Sequence, residues 1–483
     1  MRQINEGEMS ILLSAVSPTL QYIGVTLANP AGLVIKRGKV YVALGPNGSG
    51  KSTLAMILER GWNIAMNRIE GDRSATVVRR IEFSDIHSLT GSAGGYYQQR
   101  FEATANDDVP TVAEVVARRW NHQRWQCLCS ALELSDIADK RINYLSSGEL
   151  RKFLIAGMLD EDPDLLILDN PYIGLDEQSR LLLNSLISQI AAGGTAVMLL
   201  LCNPHDMPCF TDVVVPVKDL CIMPSVEVSG RVESMSSAFD TLFASDADIA
   251  QMPEYPMVEP SEGNVVELND CRVAYSGRTI LEHVDWQIAP GERWALLGRN
   301  GSGKSTLLSL IYADNPQGYR NNITLFGLRR GTGESIWDIK RRIAYISPEM
   351  HLYFNNDESV LRVVASGLSD YVGCYRTPAA EANELAIRWL ATLGIAHLAN
   401  RRFPTLSSGE QRLALLARTF MKNASLIILD EPLHGLDAER KRIVAEVIER
   451  RMADPSVALI YVTHYRNEIP RCVGHVKELS RNL

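Results

Sequence analysis

The chain of 483 residues contains no apolar run of the ~18 residues that a membrane-crossing helix needs. Its longest apolar stretch, "TAVMLLLC" (195–202), has the length of a buried strand. The opening residues, "MRQINEGEMS", carry no apolar segment behind a basic head, so a secretory leader is not expected and the cytoplasm is the default compartment. Cysteines are few and scattered. Cys127 and Cys129 form a C-x-C, but no second pair stands at metal-ligand spacing, which argues against a zinc or iron–sulfur centre and fits reduced thiols. A basic surplus is also missing. The net charge of −8 argues against a surface that grips nucleic acid over its whole extent. What remains, 46% hydrophobic and 22% charged residues, is the composition of ordinary soluble domains, and the length suits two or three of them.

The dominant feature is an internal repeat of long period. "GPNGSGKST" begins at Gly45 and "GRNGSGKST" at Gly298; "LSSGELRK" begins at Leu145 and "LSSGEQRL" at Leu406. "LILDNPYIGLD" (166–176) is matched by "IILDEPLHGLD" (427–437). The motifs keep their order and comparable spacing in both halves, which is domain duplication. The expected division is a first domain over 1–217, a linker over 218–262 and a second domain over 263–483. Over 229–263, Glu233, Asp240, Asp246, Asp248, Glu254, Glu259 and Glu262 face Arg231 alone, and Pro253, Pro256 and Pro260 interrupt the later part. This predicts a solvated acidic tether with one short helix near "SAFDTLFA".

Both glycine-rich runs fit G-x-x-x-x-G-K-[ST] between a strand-like and a helix-like stretch. Glycines let such a loop wrap a phosphate chain with its own amides, and the following helix N-terminus adds a favourable dipole. The phosphate-binding residues predicted are Gly45, Asn47, Gly48, Gly50, Lys51, Ser52 and Thr53 in the first half. Gly298, Asn300, Gly301, Gly303, Lys304, Ser305 and Thr306 are their equivalents in the second. The lysines meet the β- and γ-phosphates of ATP, and Ser52 and Ser305 offer hydroxyls to Mg²⁺. Asp169 and Asp430 end short apolar runs. Alone each reads equally as a strand-end turn residue; opposite a P-loop each reads as the carboxylate on the Mg²⁺ side.

"LSSGE" resembles the signature of ATP-binding-cassette (ABC) ATPases, "GLD" at 174–176 and 435–437 resembles their D-loop, and "VTHY" (462–465) their switch-histidine region. Ser147 and Ser408 stand where that family usually has glycine, and Glu149 and Glu410 where it usually has glutamine. The long run "DNPQGYRNNITLFGLRRGTGESIWDIKRRIAYISPEMHLYF" (314–354) is similar to the ModF-type, photorepair-protein-like branch, tandem cassettes without membrane domains. The resemblance implies an α/β fold: two P-loop NTPase domains in tandem, each with a parallel-sheet core and a helical subdomain. The helical patterns at 112–134 and 379–395 are expected to lie in those subdomains.

The resemblance further implies that each nucleotide sits between one P-loop and the other domain's signature, the two domains pairing within one chain. Site one then joins Lys51, Ser52 and Asp169 to Ser407 and Gly409. Site two joins Lys304, Ser305 and Asp430 to Ser146 and Gly148. Hydrolysis needs a group that orients the attacking water, and a carboxylate does this. Glu431 and His464 are the catalytic pair expected at site two. Their expected counterparts, Asn170 and Asn203, are degenerate, with His205 an alternative to Asn203 if the loop is shifted. Tyr275 is placed to stack on adenine, and the same count back from Lys51 reaches Tyr22, which reads equally as a core tyrosine. The family's Q-loop glutamine is matched by Gln98 or Gln99 in the first half, but by Pro348 or Glu349 in the second. That departure bears on turnover at site two or on coupling to a membrane partner.

The function expected is ATP hydrolysis by a cytosolic tandem ATPase, mainly at site two, with ATP and Mg²⁺ as cofactors. By the branch resemblance it is linked to transport of an anion such as molybdate, with a membrane permease as partner and a place at the inner face of the membrane. The alternatives are a soluble factor acting on ribosomes or DNA, and a nucleotide-gated regulator with little turnover. The acidic linker and the lack of a basic tail speak against the nucleic-acid alternative.

Overall fold

The structure is a computed structural model. It describes residues 11–479 apart from 61–68, 71–75, 83–109, parts of 120–146, 229–238, 244–246, 259–262, 299–301, 351–356, 370–377 and shorter gaps that include 173–174, 176 and 349. The chain forms two compact units that divide near Ala244 and Ser245.

Each unit is built on a parallel sheet of the same strand order. In the first the order is Val213–Lys218, Val40–Leu44, Ala196–Leu201, Leu165–Asp169 and Val78–Glu82. In the second it is His475–Leu479, Arg293–Gly298, Ala458–Val462, Leu426–Asp430 and Ile343–Ile346. The central strands read as unbroken apolar runs because both faces of a parallel sheet are covered; Val40–Leu44 and Ala458–Val462 are buried at every position. An antiparallel sheet accompanies each core. In the second unit its order is Arg278–Ile288, Val266–Tyr275, Asn322–Leu325 and Leu328–Arg329. The glycine-rich loops leave the carboxyl ends of Val40–Leu44 and Arg293–Gly298, where open α/β sheets bind ligands.

The helical pattern at 379–395 is the helix Ala380–Thr392, which stops before Gly394 at φ 73°. In the first unit the helix Val112–Arg119 begins the pattern at 112–134, and Trp125 then packs edge-on against Phe153. Much of the remainder lies outside the described residues. Among the described residues no helix is long and apolar enough to cross a membrane.

The linker departs from expectation at both ends. The first domain does not stop at 217: Cys221–Ile222 pairs with Val213–Lys218 and with Val25–Ala28, and Val226–Glu227 also pairs with the Val213 strand. Further on, Phe239, Leu242 and Phe243 are buried in the first unit's core beside Trp125 and Phe153. Nor is the stretch before 259 a solvated tether. Asp248 caps the short turn Ile249–Gln251, and its amide donates to the Ala391 carbonyl at 3.1 Å. Tyr255 stacks on Trp389 with ring centroids 6.4 Å apart, donates its hydroxyl to the Phe420 carbonyl at 2.5 Å and accepts from the Trp389 indole at 2.9 Å. Arg451 lies over the phenol ring, 5.0 Å from its centroid. A few aromatic anchors therefore outweigh the acidic composition, and the segment is part of the second unit.

Candidate active site

In the first unit the P-loop folds as its spacing requires. A side chain at Gly45 would come within 1.9 Å of the Val217 carbonyl oxygen, and one at Gly50, where φ is 107°, within 2.6 Å of Leu27. Lys51 opens the helix Lys51–Arg60, is buried, and donates its ammonium to the Gly45 and Pro46 carbonyls at 2.8 and 2.7 Å. The loop thus holds the cation ready for a more negative partner. Lys304 does the same in the second unit, donating to the Gly298 carbonyl at 2.6 Å from the start of the helix Lys304–Ile311. Asn300 and Gly301 lie outside the described residues.

The residues present suit a magnesium ion. Ser52 is exposed and donates its hydroxyl to the Asp169 carboxylate at 2.8 Å. Two oxygens at roughly this separation match neighbouring corners of an octahedron with ~2.1 Å bonds. Burial pushes the Asp169 carboxyl above its ordinary range, against the lowering effect of Ser52, Lys51 and Arg80. A carboxylate strained in this way gains from a cation. Asp430 is buried, where Asp169 is half-buried, and Ser305 is exposed like Ser52.

The step beyond these aspartates separates the units. Asn170 and Glu431 both take the left-handed backbone, at φ 46° and 49°, and both donate their amides across the sheet, to Leu200 and Val462. The Asn170 side chain turns back and donates to Asp169 at 3.2 Å. Glu431 instead is held by two imidazoles. His464 Nε2 lies 2.8 Å from one carboxylate oxygen and His434 Nδ1 lies 3.1 Å from the other. Burial pushes the Glu431 carboxyl up, but the His464 hydrogen bond, His434 and Lys304 together hold it down at about 2. The sequence-predicted group Lys304, Asp430, Glu431 and His464 is therefore brought together in one unit.

The sheet register corrects one predicted counterpart. Asp169 faces Leu200 and Asp430 faces Val462, so the residue that stands where His464 stands is Cys202, not Asn203. The flanking ion pairs agree: Arg180–Asp206 and Lys441–Glu468, both at 2.7 Å, occupy the same places in the two units. The connection from the aspartate through its helix to the next strand is one residue shorter in the first unit, which is why counting from Asp169 overshot. Asn203 serves as the cap of the turn Pro204–Asp206, its side chain accepting from the His205 amide, and His205 is exposed.

Ser407 and Gly409 open the signature helix Ser408–Phe420. Glu410 accepts from the Ser407 amide at 2.8 Å and from its hydroxyl at 2.7 Å, a capping box that gives the carboxylate in place of glutamine a local role. In the first unit Gly148 lies in the helix Ser147–Leu159, Glu149 pairs with Lys140 at 2.7 Å, and Ser146 is outside the described residues. Gln98, Gln99, Glu349, Gly174 and Asp176 also lie outside them. Tyr275 ends its strand half-buried, with its hydroxyl accepting from Asn315 at 2.8 Å.

Two residues escaped the motif reading. Arg412, on the signature helix, is buried and donates to the carbonyls of Ser347, Asp430 and Glu431 at 3.0, 3.0 and 2.7 Å. His434 sits three residues after Glu431, at the spacing of one turn, and that spacing was the available signal.

Comparison with known proteins agrees with this geometry. The family model described as "ABC transporter" matches residues 28–173 and again 281–434. The ABC transporter ATP-binding protein ModF of Escherichia coli is 34% identical over 92% of this chain and 91% of its own length. An uncharacterized ABC transporter ATP-binding protein of Schizosaccharomyces pombe is 28% identical over 91% of this chain and 92% of its own. Among solved structures, an RNase-L Inhibitor is similar with a TM-score of 0.52, covering 96% of this chain and 87% of its own at 20% identity. A ribosome-bound archaeal Pelota and ABCE1 model gives 0.58, covering 94% of this chain and 74% of its own at 20% identity. At that identity the likeness speaks to fold alone.

Proposed function

Because the chain belongs to the ABC transporter ATP-binding family, as an ATP hydrolase with two cassettes in tandem of the ModF type, we propose that its two nucleotide sites divide the work. Each site is composite, as the family pairing implies, with one cassette's P-loop meeting the other's signature. Site one, with Lys51, Ser52 and Asp169, holds ATP. Site two, with Lys304, Ser305 and Asp430, cleaves it.

The observation that carries this reading is Glu431 with His464 on one of its oxygens, against Asn170 and Cys202 at the same places of the first unit. At site two the ammonium of Lys304 holds the β- and γ-phosphates. Glu431 orients a water and polarises it toward the γ-phosphorus. A bond forms from the water oxygen to phosphorus, the bond to the ADP oxygen breaks, and the proton of the water passes toward the carboxylate. His464 fixes the carboxylate and can pair with the γ-phosphate side. Arg412 keeps the Asp430–Glu431 backbone in place. Magnesium, when bound through the serine and aspartate of each cassette, neutralises the phosphate charge. An amide at Asn170 cannot take the proton, and it is shorter by one methylene.

The wider role we assign is transport-associated: the cassettes close on ATP, reopen after hydrolysis and act on a membrane permease. The relative named as a transporter ATP-binding protein, similar over nearly the full length of both chains, supports this.

Steady-state phosphate release tests the division of sites. Glu431→Gln should remove nearly all activity, more than roughly a hundredfold, whereas Asn170→Ala should cost less than about twofold. Equal losses from the two substitutions would sink the asymmetry.

A further inference from the structure

His434 stands outside the family motifs that located the site, yet it touches the residue on which hydrolysis depends. Its Nδ1 lies 3.1 Å from one Glu431 oxygen while His464 Nε2 lies 2.8 Å from the other. The backbone closes the same contact, since the His434 amide donates to the Glu431 carbonyl at 3.1 Å. Both partners are largely buried, with side chains 19% and 16% exposed, so water competes weakly for the pair.

A carboxylate held by one donor can still turn about that hydrogen bond, and its plane is then undefined. A second donor on the other oxygen fixes the plane and with it the direction of the remaining lone pairs. The first half has Ile173 at the place of His434 in the sequence, and isoleucine offers no donor. The residue it would serve there is Asn170, which has no carboxylate to orient.

We propose that His434 is a positioning residue for hydrolysis at site two, which with His464 clamps both oxygens of Glu431 and sets the direction in which it presents a lone pair to water. The role requires the Nδ1–H tautomer of His434. It rests on the reading of site two as the hydrolytic site.

The test uses the full chain and three substitutions. His434→Ile and His434→Ala both remove the donor, one keeping apolar bulk and the other leaving space. His434→Asn keeps an N–H close to the place of Nδ1. Phosphate release gives kcat and the KM for ATP, and a fluorescent ATP analogue checks that each variant still binds nucleotide. The donor-less variants should lose roughly tenfold in kcat with KM within about twofold, and His434→Asn should return to within about threefold of the unmodified chain. The inference is overturned if either donor-less variant that binds the analogue keeps a kcat within about twofold of the unmodified chain. It is overturned equally if the loss lies in KM, or if His434→Asn falls as far as His434→Ile. Glu431→Gln in the same series separates the two readings. Turnover retained there refutes site two as the hydrolytic site, whereas its loss beside an active His434→Ile refutes the clamp alone.

Discussion

Asn170 and Glu431 share a backbone that asparagine tolerates and glutamate does not favour, with φ near 46° and 49°. The second unit keeps the costlier residue at that place, and a strained position held by its surroundings is a common property of reacting groups. What surrounds it is specific: two imidazoles on its oxygens and Arg412 on its carbonyl. The first unit has Asn170 and Cys202 at the matching places, so a carboxylate alone should not restore the chemistry there. In a chain already carrying Glu431→Gln, Asn170→Glu is expected to leave the residual phosphate release within about twofold. Adding Cys202→His should raise it by roughly tenfold. Rescue by the single substitution would show that the histidine partner contributes little.

Arg412 links the signature helix Ser408–Phe420 to the end of the strand Leu426–Asp430 and to Ser347 after the strand Ile343–Ile346. Burial lowers its guanidinium to about 10 despite the nearby Glu431 and Asp430, so it remains charged at neutral pH. Arg412→Met would remove the guanidinium from the carbonyls of Ser347, Asp430 and Glu431 and should destabilise the second unit by about 3 kcal/mol. In a urea titration followed by tryptophan fluorescence, that change should move the transition of one unit and leave the other in place. The same elements show what could be read without coordinates. Parallel strands covered on both faces appear as unbroken apolar runs, so "LLILD" and "LIILD" announce themselves and fix the aspartates at their ends. The glycine pattern of a P-loop is equally plain because no other residue fits there. The switch region was less legible, since a connection shorter by one residue between the two strands displaced the count from Cys202 to Asn203. Composition also misled at the linker. Seven carboxylates set the composition of that segment, while Phe239, Leu242, Phe243 and Tyr255 decide where it lies. His434 stayed hidden because its three-residue spacing from Glu431 signals nearness without announcing which oxygen it meets.

For the whole molecule, two P-loops with complete lysine, serine and aspartate sets should give two additions of ligand stability. At a hundred times the dissociation constant, each ATP·Mg²⁺ stabilises the folded state by about 2.7 kcal/mol. Calorimetry of the full chain with ATP and Mg²⁺ should therefore raise the melting of both units, and removing Mg²⁺ with EDTA should return most of that gain. Asn170→Ala should leave the effect unchanged, because binding and cleavage draw on different residues. Persistence of the full shift in EDTA would speak against Ser52 and Asp169 as the magnesium ligands.

The docked segment before residue 259 also decides how the chain can be taken apart. The acidic, proline-broken stretch around 259–262 invites a cut between the cassettes, yet a fragment starting there would lack Tyr255. Trp389 would lose its hydroxyl partner and stacked neighbour, Phe420 its carbonyl's donor, and Arg451 the ring beneath it. A fragment beginning at Ala247 keeps all of them. The chain's true seam is thus upstream of its most seam-like sequence, and a second cassette expressed from 263 would fail for want of eleven or so residues that look dispensable on paper (those from Asp248 to Val258).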